Sequence, residues 1–282
     1  MPTYGIHGFV WNGNWTNEVV PDIIRQTAEA GFDLLEIPLM HPTEFDAATA
    51  GKVLKEVGLR ATGSLALPKD AHMPFYPEQA TVFLKSAIDK VAEFGGETLA
   101  GCIHCHLGTL TGKPPTSRER EIVANTLGEV ALYAKTRGVS LGVEAVNRYE
   151  SYLYNIAADV LDLLKTINMD NVFLHLDTYH MNIEEHGFSG PLKQSGAEVR
   201  HIHMSESDRG IPSEGNVNWD DVFAGLKAIN YTGPLVLEAF ADINPDVAAA
   251  TCLWRPALYS GLELATKGLA FLRSKAQQYG LQ

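Results

Sequence analysis

Residues 136–146 read TRGVSLGVEAV, and the character of the chain changes at Gly138 within this stretch. The residues before the glycine, REREIVANTLGEVALYAKTRG (118–138), have apolar positions at the spacing of an amphipathic helix. The residues after it form a short run of apolar and β-branched side chains, which is typical of a buried strand. Glycine commonly follows the last residue of a helix. The stretch therefore predicts a helix that ends at Gly138 and is followed at once by a strand.

The same order of helix, glycine and strand recurs at EAGFDLLEI (29–37) and EVGLRATGS (56–64). Apolar runs of this kind are YGIHGFVW (4–11), DLLEIPLM (33–40), RATGSLAL (60–67), TLAGCIHC (98–105), VSLGVEAV (139–146), VFLHLDTY (172–179), VRHIHMSE (199–206) and GPLVLEAF (233–240). Eight strands that alternate with amphipathic stretches predict an α/β fold, a (β/α)8 TIM barrel that residues 1–282 form as a single domain. A doubly wound open sheet is the alternative, but no G-x-G-x-x-G motif follows the first run.

The composition limits the classes of partner. The chain has 282 residues, of which 45% are apolar and 20% charged, so it can bury a large core. Its net charge of −12 argues against a nucleic-acid partner and against docking on an anionic membrane. The first residues contain neither a basic segment nor a long apolar run, so we expect no signal peptide and no membrane span. Three cysteines are too few for a disulfide framework, and we expect a cytoplasmic protein.

Four polar residues interrupt the ends of apolar runs, namely Glu144, Asp177, His203 and Glu238. The active site of this fold class lies at the C-terminal ends of the strands. Several carboxylates buried together are costly unless they have a positive partner. One such residue is usually an ion-paired or core residue, but four at equivalent points of successive strands favour a shared cation. The pattern predicts that all four residues are metal ligands.

The ligand types restrict the ion. Three carboxylates and one imidazole favour a hard or borderline divalent cation over an ion that prefers thiolates. We therefore expect Mn²⁺, with Co²⁺ and Mg²⁺ as alternatives, while the donor set does not exclude zinc.

Further polar residues follow the strands, in the loops where substrate contacts belong. They are Asn147, Arg148 and Glu150, then His180 and Glu185, and then Glu206 and Arg209. We expect Arg148 and Glu185 to form ion pairs across the barrel mouth. His180 and Arg209 are better suited to binding an oxygen-rich substrate.

Several of these stretches together resemble one enzyme family. GVEAVNRYE, HLDTYHMNIEE, HIHMSESDRG and INYTGPLVLEAF closely resemble the ketose 3-epimerases, which include D-tagatose, D-psicose (allulose) and L-ribulose 3-epimerases. These enzymes belong to the wider sugar isomerase and epimerase barrels related to xylose isomerase. The ligand spacings of 33, 26 and 35 residues also match the family. The resemblance extends from GFDLLEI (31–37) to LWR (253–255).

The resemblance implies a metal-dependent epimerisation at C3 of free ketoses such as L-ribulose, D-tagatose, D-fructose or D-psicose. The metal would bind the O2 and O3 oxygens, and Glu144 and Glu238 would remove and return the C3 proton through a cis-enediolate. Glu150, His180 and Arg209 match the positions that hold the O1–O2 end of the sugar. The family also implies a homodimer or a homotetramer.

The motif GCIHCH (101–106) has the spacing of a c-type haem attachment site and resembles half of a metal knuckle. A packed barrel has no room for haem at this position. Cys102 and Cys105 are three positions apart, so on a strand they would point to opposite faces and would not bind one ion. We interpret the motif as a chance match in a strand that contributes to the sugar pocket.

Two positions depart from the family pattern. Leu107 stands where relatives commonly have tryptophan, and His7 stands where they often have an aromatic residue. Both would contact the far end of the sugar, so the preferred ketose does not follow from the resemblance. Trp15 and Phe240 are either walls of the pocket or ordinary packing aromatics.

Other functions remain open on the residues alone. Hydroxypyruvate isomerase, inosose dehydratase and an aldose–ketose isomerase could share the metal ligands. An endonuclease IV-like repair enzyme would need more metal-binding histidines and a basic face. A non-catalytic sugar-binding barrel would not need the pair Glu144 and Glu238.

Overall fold

The computed structural model describes residues 2–281 as a closed barrel of eight parallel strands. The strands are β1 (Thr3–His7), β2 (Leu34–Pro38), β3 (Arg60–Ala66), β4 (Thr98–Cys102), β5 (Ser140–Glu144), β6 (Val172–Asp177), β7 (Val199–Met204) and β8 (Pro234–Leu237). Each strand pairs with its neighbours in the chain, and β8 closes the barrel by pairing with β1. The predicted (β/α)8 barrel is confirmed.

The helices surround the barrel and bury one face each. Within residues 2–281 they are α1 (Val20–Glu29), α2 (Ala47–Val57), α3 (Pro77–Glu93), α4 (Ser117–Thr136), α5 (Ala157–Ile167), α6 (Thr178–Glu184), α7 (Ser189–Ser195), α8 (Trp219–Ala228), α9 (Pro245–Thr251) and α10 (Gly261–Tyr279). α4 begins with a capping box between Thr116 and Glu119, and Gly138 follows it with a φ of 71°. None of these helices has the length and apolarity needed to cross a membrane.

The observed strands are shorter than the apolar runs that predict them. Every run continues past the last residue of its strand, because the chain leaves the barrel while its side chains stay buried. Leu39, Leu67 and Val146 lie beyond β2, β3 and β5, and all three are buried. An apolar run therefore marks the limit of burial rather than the limit of strand pairing.

The segment GCIHCH shows the consequence of this difference. β4 ends at Cys102, and the chain then turns so that the Cys105 N–H donates to the Cys102 carbonyl at 3.2 Å. Both are buried, free cysteines, and the Cys102 thiol lies 3.7 Å from a Glu144 oxygen. The expectation that they point to opposite faces is wrong, because only Cys102 belongs to the strand.

The strand ends place the four acidic and histidine residues at one rim of the barrel. β5 ends at Glu144 and β6 ends at Asp177. His203 is the penultimate residue of β7, and Glu238 directly follows β8. Because the strands are parallel and adjacent, their C-terminal ends meet at the same rim.

Gly101 in β4 provides a test of the barrel packing. Its φ is +105°, and a Cβ atom there would lie 2.6 Å from the Leu65 carbonyl oxygen of β3. Gly58, after α2, also has a positive φ, but among residues 2–281 no atom beyond its two chain neighbours lies within 4 Å of where a Cβ atom would be. We expect Gly58→Ala to lower the free energy of unfolding by about 1 kcal/mol and Gly101→Ala by about 3 kcal/mol or more. Urea unfolding of both variants measures this difference, and equal losses would contradict the close approach at β4.

Candidate active site

Four buried side chains converge around one nitrogen atom. Glu144, Asp177, His203 and Glu238 are between 0% and 8% exposed. The Nδ1 atom of His203 lies 3.3 Å from a Glu238 oxygen and 3.9 Å from a Glu144 oxygen. Glu144, Asp177 and His203 each offer one ligating atom, and these atoms lie within 4.8 Å of one another. Among the described residues, Nδ1 of His203 has no hydrogen-bond partner. An unpartnered imidazole nitrogen among carboxylates fits a divalent metal ion.

Arg209 supplies the positive charge that the protein itself offers to this cluster. Its Nη1 atom donates to an Asp177 oxygen at 2.6 Å and also to Glu238. The same atom donates to the Ser205 hydroxyl at 3.0 Å. Arg209 is therefore a neighbour of the proposed ligands as well as a residue of the mouth.

The loop that carries Arg209 is held in place by Glu206. This buried carboxylate accepts hydrogen bonds from the backbone N–H groups of Ser213 and Val217 and from the indole of Trp219. Its contacts explain why the loop can hold Arg209 at a positive φ of 61°. Glu206 thus organises the loop.

The two glutamates of the cluster have opposite electrostatic environments. Burial raises the pKa of Glu144 well above its ordinary value. Burial also opposes ionisation of Glu238, but Arg209 and His203 hold the pKa of that carboxyl well below its ordinary value. In the protein alone, Glu144 therefore favours the protonated form and Glu238 the ionised form.

The pKa values of Asp177 and His203 are also shifted, the first by burial and the second by neighbouring carboxylates. Burial raises the pKa of Asp177 to about 6, although Arg209 opposes this shift. Burial disfavours the charged form of His203, but Glu238 and Glu36 raise its pKa well above the ordinary value. In the protein alone, these groups therefore hold protons at the place where a metal ion would bind.

Asn147 joins two of the predicted substrate-binding residues, Glu150 and His180. Its side-chain amide donates to a Glu150 oxygen at 2.8 Å and lies 2.8 Å from Nδ1 of His180. Its backbone N–H also donates to that nitrogen, at 3.2 Å. Burial lowers the pKa of His180 well below its ordinary value, so the ring is neutral and its hydrogen is on Nε2. That nitrogen lies 3.5 Å from a Glu144 oxygen, so the structure brings His180 to the cluster.

His7 and Leu107 lie at two other points of the barrel mouth. His7 ends β1, and its Nε2 is 2.9 Å from the Ser64 hydroxyl while its Nδ1 accepts from the Phe9 N–H. Both ring nitrogens are thus engaged within the protein. Leu107 is half-buried in the loop after β4 and packs against the hydrophobic core.

The aromatic residues of the mouth surround Arg209. The guanidinium lies 4.0 Å from the centre of the Tyr179 ring and 5.4 Å from that of Phe240. Phe240 is therefore a wall beside Arg209, and Trp15 packs against Gly8, directly after the C-terminal end of β1. Tyr179 was not predicted, because an aromatic residue after an aspartate has no distinctive signal in a sequence.

The ion pairs expected of Arg148 and Glu185 differ from those observed. Arg148 forms a two-pronged pair with Glu184, at 2.9 and 2.7 Å. Glu185 accepts instead from the backbone N–H of Ala157 at the start of α5. The prediction is right that Arg148 is ion-paired and wrong about Glu185, because the end of α6 turns the two adjacent glutamates in different directions.

Glu36 and His201 are further site residues that the sequence analysis missed. Glu36 contacts His203 at 2.7 Å and His201 at 2.5 Å from the interior of the barrel. A carboxylate within the apolar run DLLEIPLM carries the same signal as Glu144, but it lies in the middle of the run rather than at its end.

Comparison with known proteins identifies close relatives. Residues 24–275 match the family described as xylose isomerase-like TIM barrel. An L-ribulose 3-epimerase of Methylomonas sp. (strain DH-1) is 36% identical, over 96% of this chain and 97% of the relative. A ketose 3-epimerase of Arthrobacter globiformis is 35% identical, over 96% of each chain. The crystal structure of a D-allulose 3-epimerase from Methylomonas sp. in complex with D-allulose has a TM-score of 0.92 and 35% identity, covering 97% of both chains.

Glu150 allows a test of the electrostatics of the mouth. Burial raises its pKa to about 7, while the unfolded chain ionises near 4.5. The folded state therefore binds this proton more tightly, and the stability that it contributes is lost as pH rises from about 4.5 to about 7. Glu150→Gln keeps an oxygen for Asn147 but does not titrate. Between pH 5 and pH 8 we expect the difference in unfolding free energy to shift in favour of the variant by roughly 2–3 kcal/mol.

Urea unfolding of the chelator-treated wild type and variant at both pH values measures this shift. If the difference is the same at pH 5 and pH 8, Glu150 titrates as it would in water and the prediction is wrong.

Proposed function

Since the chain belongs to the xylose isomerase-like TIM barrel family and, within it, to the ketose 3-epimerases, we propose that it is an isomerase that inverts C3 of free ketoses in a metal-dependent reaction. The resemblance found in the sequence is thereby confirmed. The metal, the preferred sugar and the roles of individual residues are part of the proposal.

The observation that carries the proposal is the arrangement of Glu144 and Glu238. They come from β5 and β8, and both approach Nδ1 of His203 from their own strand. Inversion of a carbon requires one group that accepts a proton and another that donates one on the opposite face. Two carboxyls that reach one centre from different strands are suited to these two roles.

Glu144, Asp177, His203 and Glu238 would hold the divalent ion. The unpartnered nitrogen of His203 and the carboxylates around it support this assignment. When bound, the ion would polarise the carbonyl of the ketose and so acidify the C3 hydrogen. Its oxygen-rich ligands favour Mn²⁺, with Co²⁺ and Mg²⁺ as alternatives.

The protein's own residues would move the protons and hold the sugar. One of the two glutamates removes the C3 proton to give a cis-enediolate, and the other returns a proton to the opposite face. Glu150, His180 and Arg209 would hold the O1–O2 end, where charge develops. The neutral His180 ring can donate from Nε2, and Arg209 adds a fixed positive charge. His7 and Leu107 would contact the far end of the sugar.

The relatives and the charge of the chain support a substrate class. The names of the relatives include L-ribulose, and one relative binds D-allulose in its crystal structure. We propose L-ribulose, D-tagatose and the D-fructose/D-psicose pair as substrates. The net charge of −12 favours a neutral sugar over a sugar phosphate.

The assembly and the location of the enzyme remain predictions. We expect a homodimer or a homotetramer in the cytoplasm. Light scattering of the purified enzyme measures the assembly.

Deuterium exchange tests the reaction itself. We expect the wild type with Mn²⁺ in D2O to place deuterium at C3 of L-ribulose, D-tagatose, D-fructose or D-psicose and to form the C3 epimer. NMR of the sugars after removal of protein and ion measures both, and chelation should abolish both. Deuterium at C1 would indicate an aldose–ketose isomerase instead. No exchange in protein shown to hold metal would refute the proposal.

Removal of either carboxyl tests the two-residue mechanism. We expect Glu144→Gln and Glu238→Gln each to lower kcat by roughly 10²–10⁴-fold, because each loses an acid or base group. Steady-state rates at saturating Mn²⁺, with bound metal measured in the same samples, check this. Glu185→Gln is the matched control, since within residues 2–281 the only hydrogen bond of the Glu185 side chain is the one that it accepts from the backbone N–H of Ala157. Activity close to wild type in either variant that still binds metal would contradict the assigned role.

A further inference from the structure

Glu36 lies in the interior of the barrel, below the residues of the mouth. It is in the middle of β2, and its exposure is 0%. In the barrel register it pairs with His7 of β1 and Thr62 of β3. Neither the comparisons nor the chemistry proposed above gives this carboxylate a role.

The contacts of Glu36 are directed at histidines. One oxygen accepts a hydrogen bond from Nε2 of His203 at 2.7 Å, and the other lies 2.5 Å from Nε2 of His201. The Thr62 hydroxyl donates to this second oxygen at 3.5 Å. Among residues 2–281, no lysine or arginine forms an ion pair with Glu36. Within these residues, the groups that can offer a positive charge to the carboxylate are therefore imidazoles.

These contacts fix which nitrogen of His203 is free. A carboxylate only accepts hydrogen bonds, so Nε2 of His203 must carry a hydrogen. In the neutral ring, the lone pair is then on Nδ1, which is the atom among Glu144 and Glu238 that has no partner within the described residues. A neutral His203 ring, as a bound cation would require, would thus present its lone pair to the mouth and its N–H to the interior.

We propose that Glu36 is a positioning residue for the metal ion, which it serves by orienting His203 and increasing the electron density of its ring. A carboxylate behind a histidine ligand fixes the ring and strengthens it as a donor. This inference rests on the proposed function, because it concerns the ion that the four mouth residues would hold. Glu36 acts through His203 and touches neither the substrate nor the ion.

Replacement of the carboxylate by an amide tests the proposal. Glu36→Gln keeps the size of the side chain but removes its charge, and its amide group can donate to Nε2 and favour the wrong tautomer. We expect the dissociation constant for Mn²⁺ to rise by about 10–100-fold. Isothermal titration of the chelator-stripped, dialysed enzyme with MnCl₂ measures this constant directly.

Activity provides a second readout that separates positioning from a general structural role. We expect the Mn²⁺ concentration for half-maximal activity to rise by about the same factor, whereas kcat at saturating Mn²⁺ stays within a few-fold of wild type. Glu185→Gln is again the matched control, because it removes one negative charge away from the ligands. Its Mn²⁺ affinity should equal that of the wild type.

The outcomes distinguish the inference from the proposed function. If the wild type binds Mn²⁺ and Glu36→Gln binds it equally well, the inference is refuted while the function stands. If Glu185→Gln weakens binding as much as Glu36→Gln, general charge loss explains the effect and the inference is likewise refuted. If the wild type binds no divalent ion, the proposed metal-dependent function is refuted, and the inference that rests on it is refuted with it.

A second variant keeps the test valid if Glu36→Gln does not fold. Glu36→Asp retains the charge but is one methylene too short to reach Nε2 of His203. We expect its Mn²⁺ dissociation constant to rise at least about threefold. A value equal to that of the wild type would refute the role of the hydrogen bond.

Discussion

The structure depends on how it balances negative charge that is buried at one end of the barrel. The side chains involved are Glu36, Glu144, Asp177 and Glu238, and each is at most 8% exposed. The removal of a carboxylate from water costs several kcal/mol unless a partner offsets it. Among residues 2–281, Arg209 is the only lysine or arginine that forms an ion pair with these carboxylates, and their other charged or chargeable partners are histidines. One fixed positive charge does not balance four carboxylates, so the cluster must either hold protons or bind a cation.

The barrel distributes the available positive charge unevenly, and this gives each carboxyl a different state. Arg209 and His203 lie against Glu238, whose pKa is held low despite burial. The pKa of Glu144 is raised by burial, and its nearest contacts include the weakly polar thiol of Cys102 at 3.7 Å. In the protein alone, one rim therefore contains an ionised and a protonated carboxyl at the same pH.

The sequence allows the fold and the residues at the strand ends to be predicted. It does not allow the contacts to be predicted that depend on where the chain turns and on which way a side chain points. Glu144 and Asp177 could be found because each is a charge at the end of an apolar run, and the strands end at these residues. Cys105 was assigned to a strand because burial continues after pairing stops, and a turn is not distinguishable there by composition. Arg148 pairs with Glu184, and the order of two adjacent glutamates does not indicate which of them the end of a helix will direct towards an arginine. Glu36 could not be ranked as a site residue, since only the closed barrel shows that the middle of β2 faces His203.

Arg209 donates to carboxyl oxygens of Asp177 and Glu238, which a divalent ion would also use. Nη1 of the arginine donates to Asp177 and Glu238, which are two of the four residues that would ligate the ion. A metal ion and a guanidinium nitrogen that share these oxygens repel each other at short range, and the ion has the greater charge. A bound ion would therefore compete with Arg209 for these oxygens, while the rings of Tyr179 and Phe240 lie 4.0 and 5.4 Å from its guanidinium. If the proposed ion shares these carboxylates, the arginine that stabilises them in the protein alone would be free to face the negative charge that develops on a substrate.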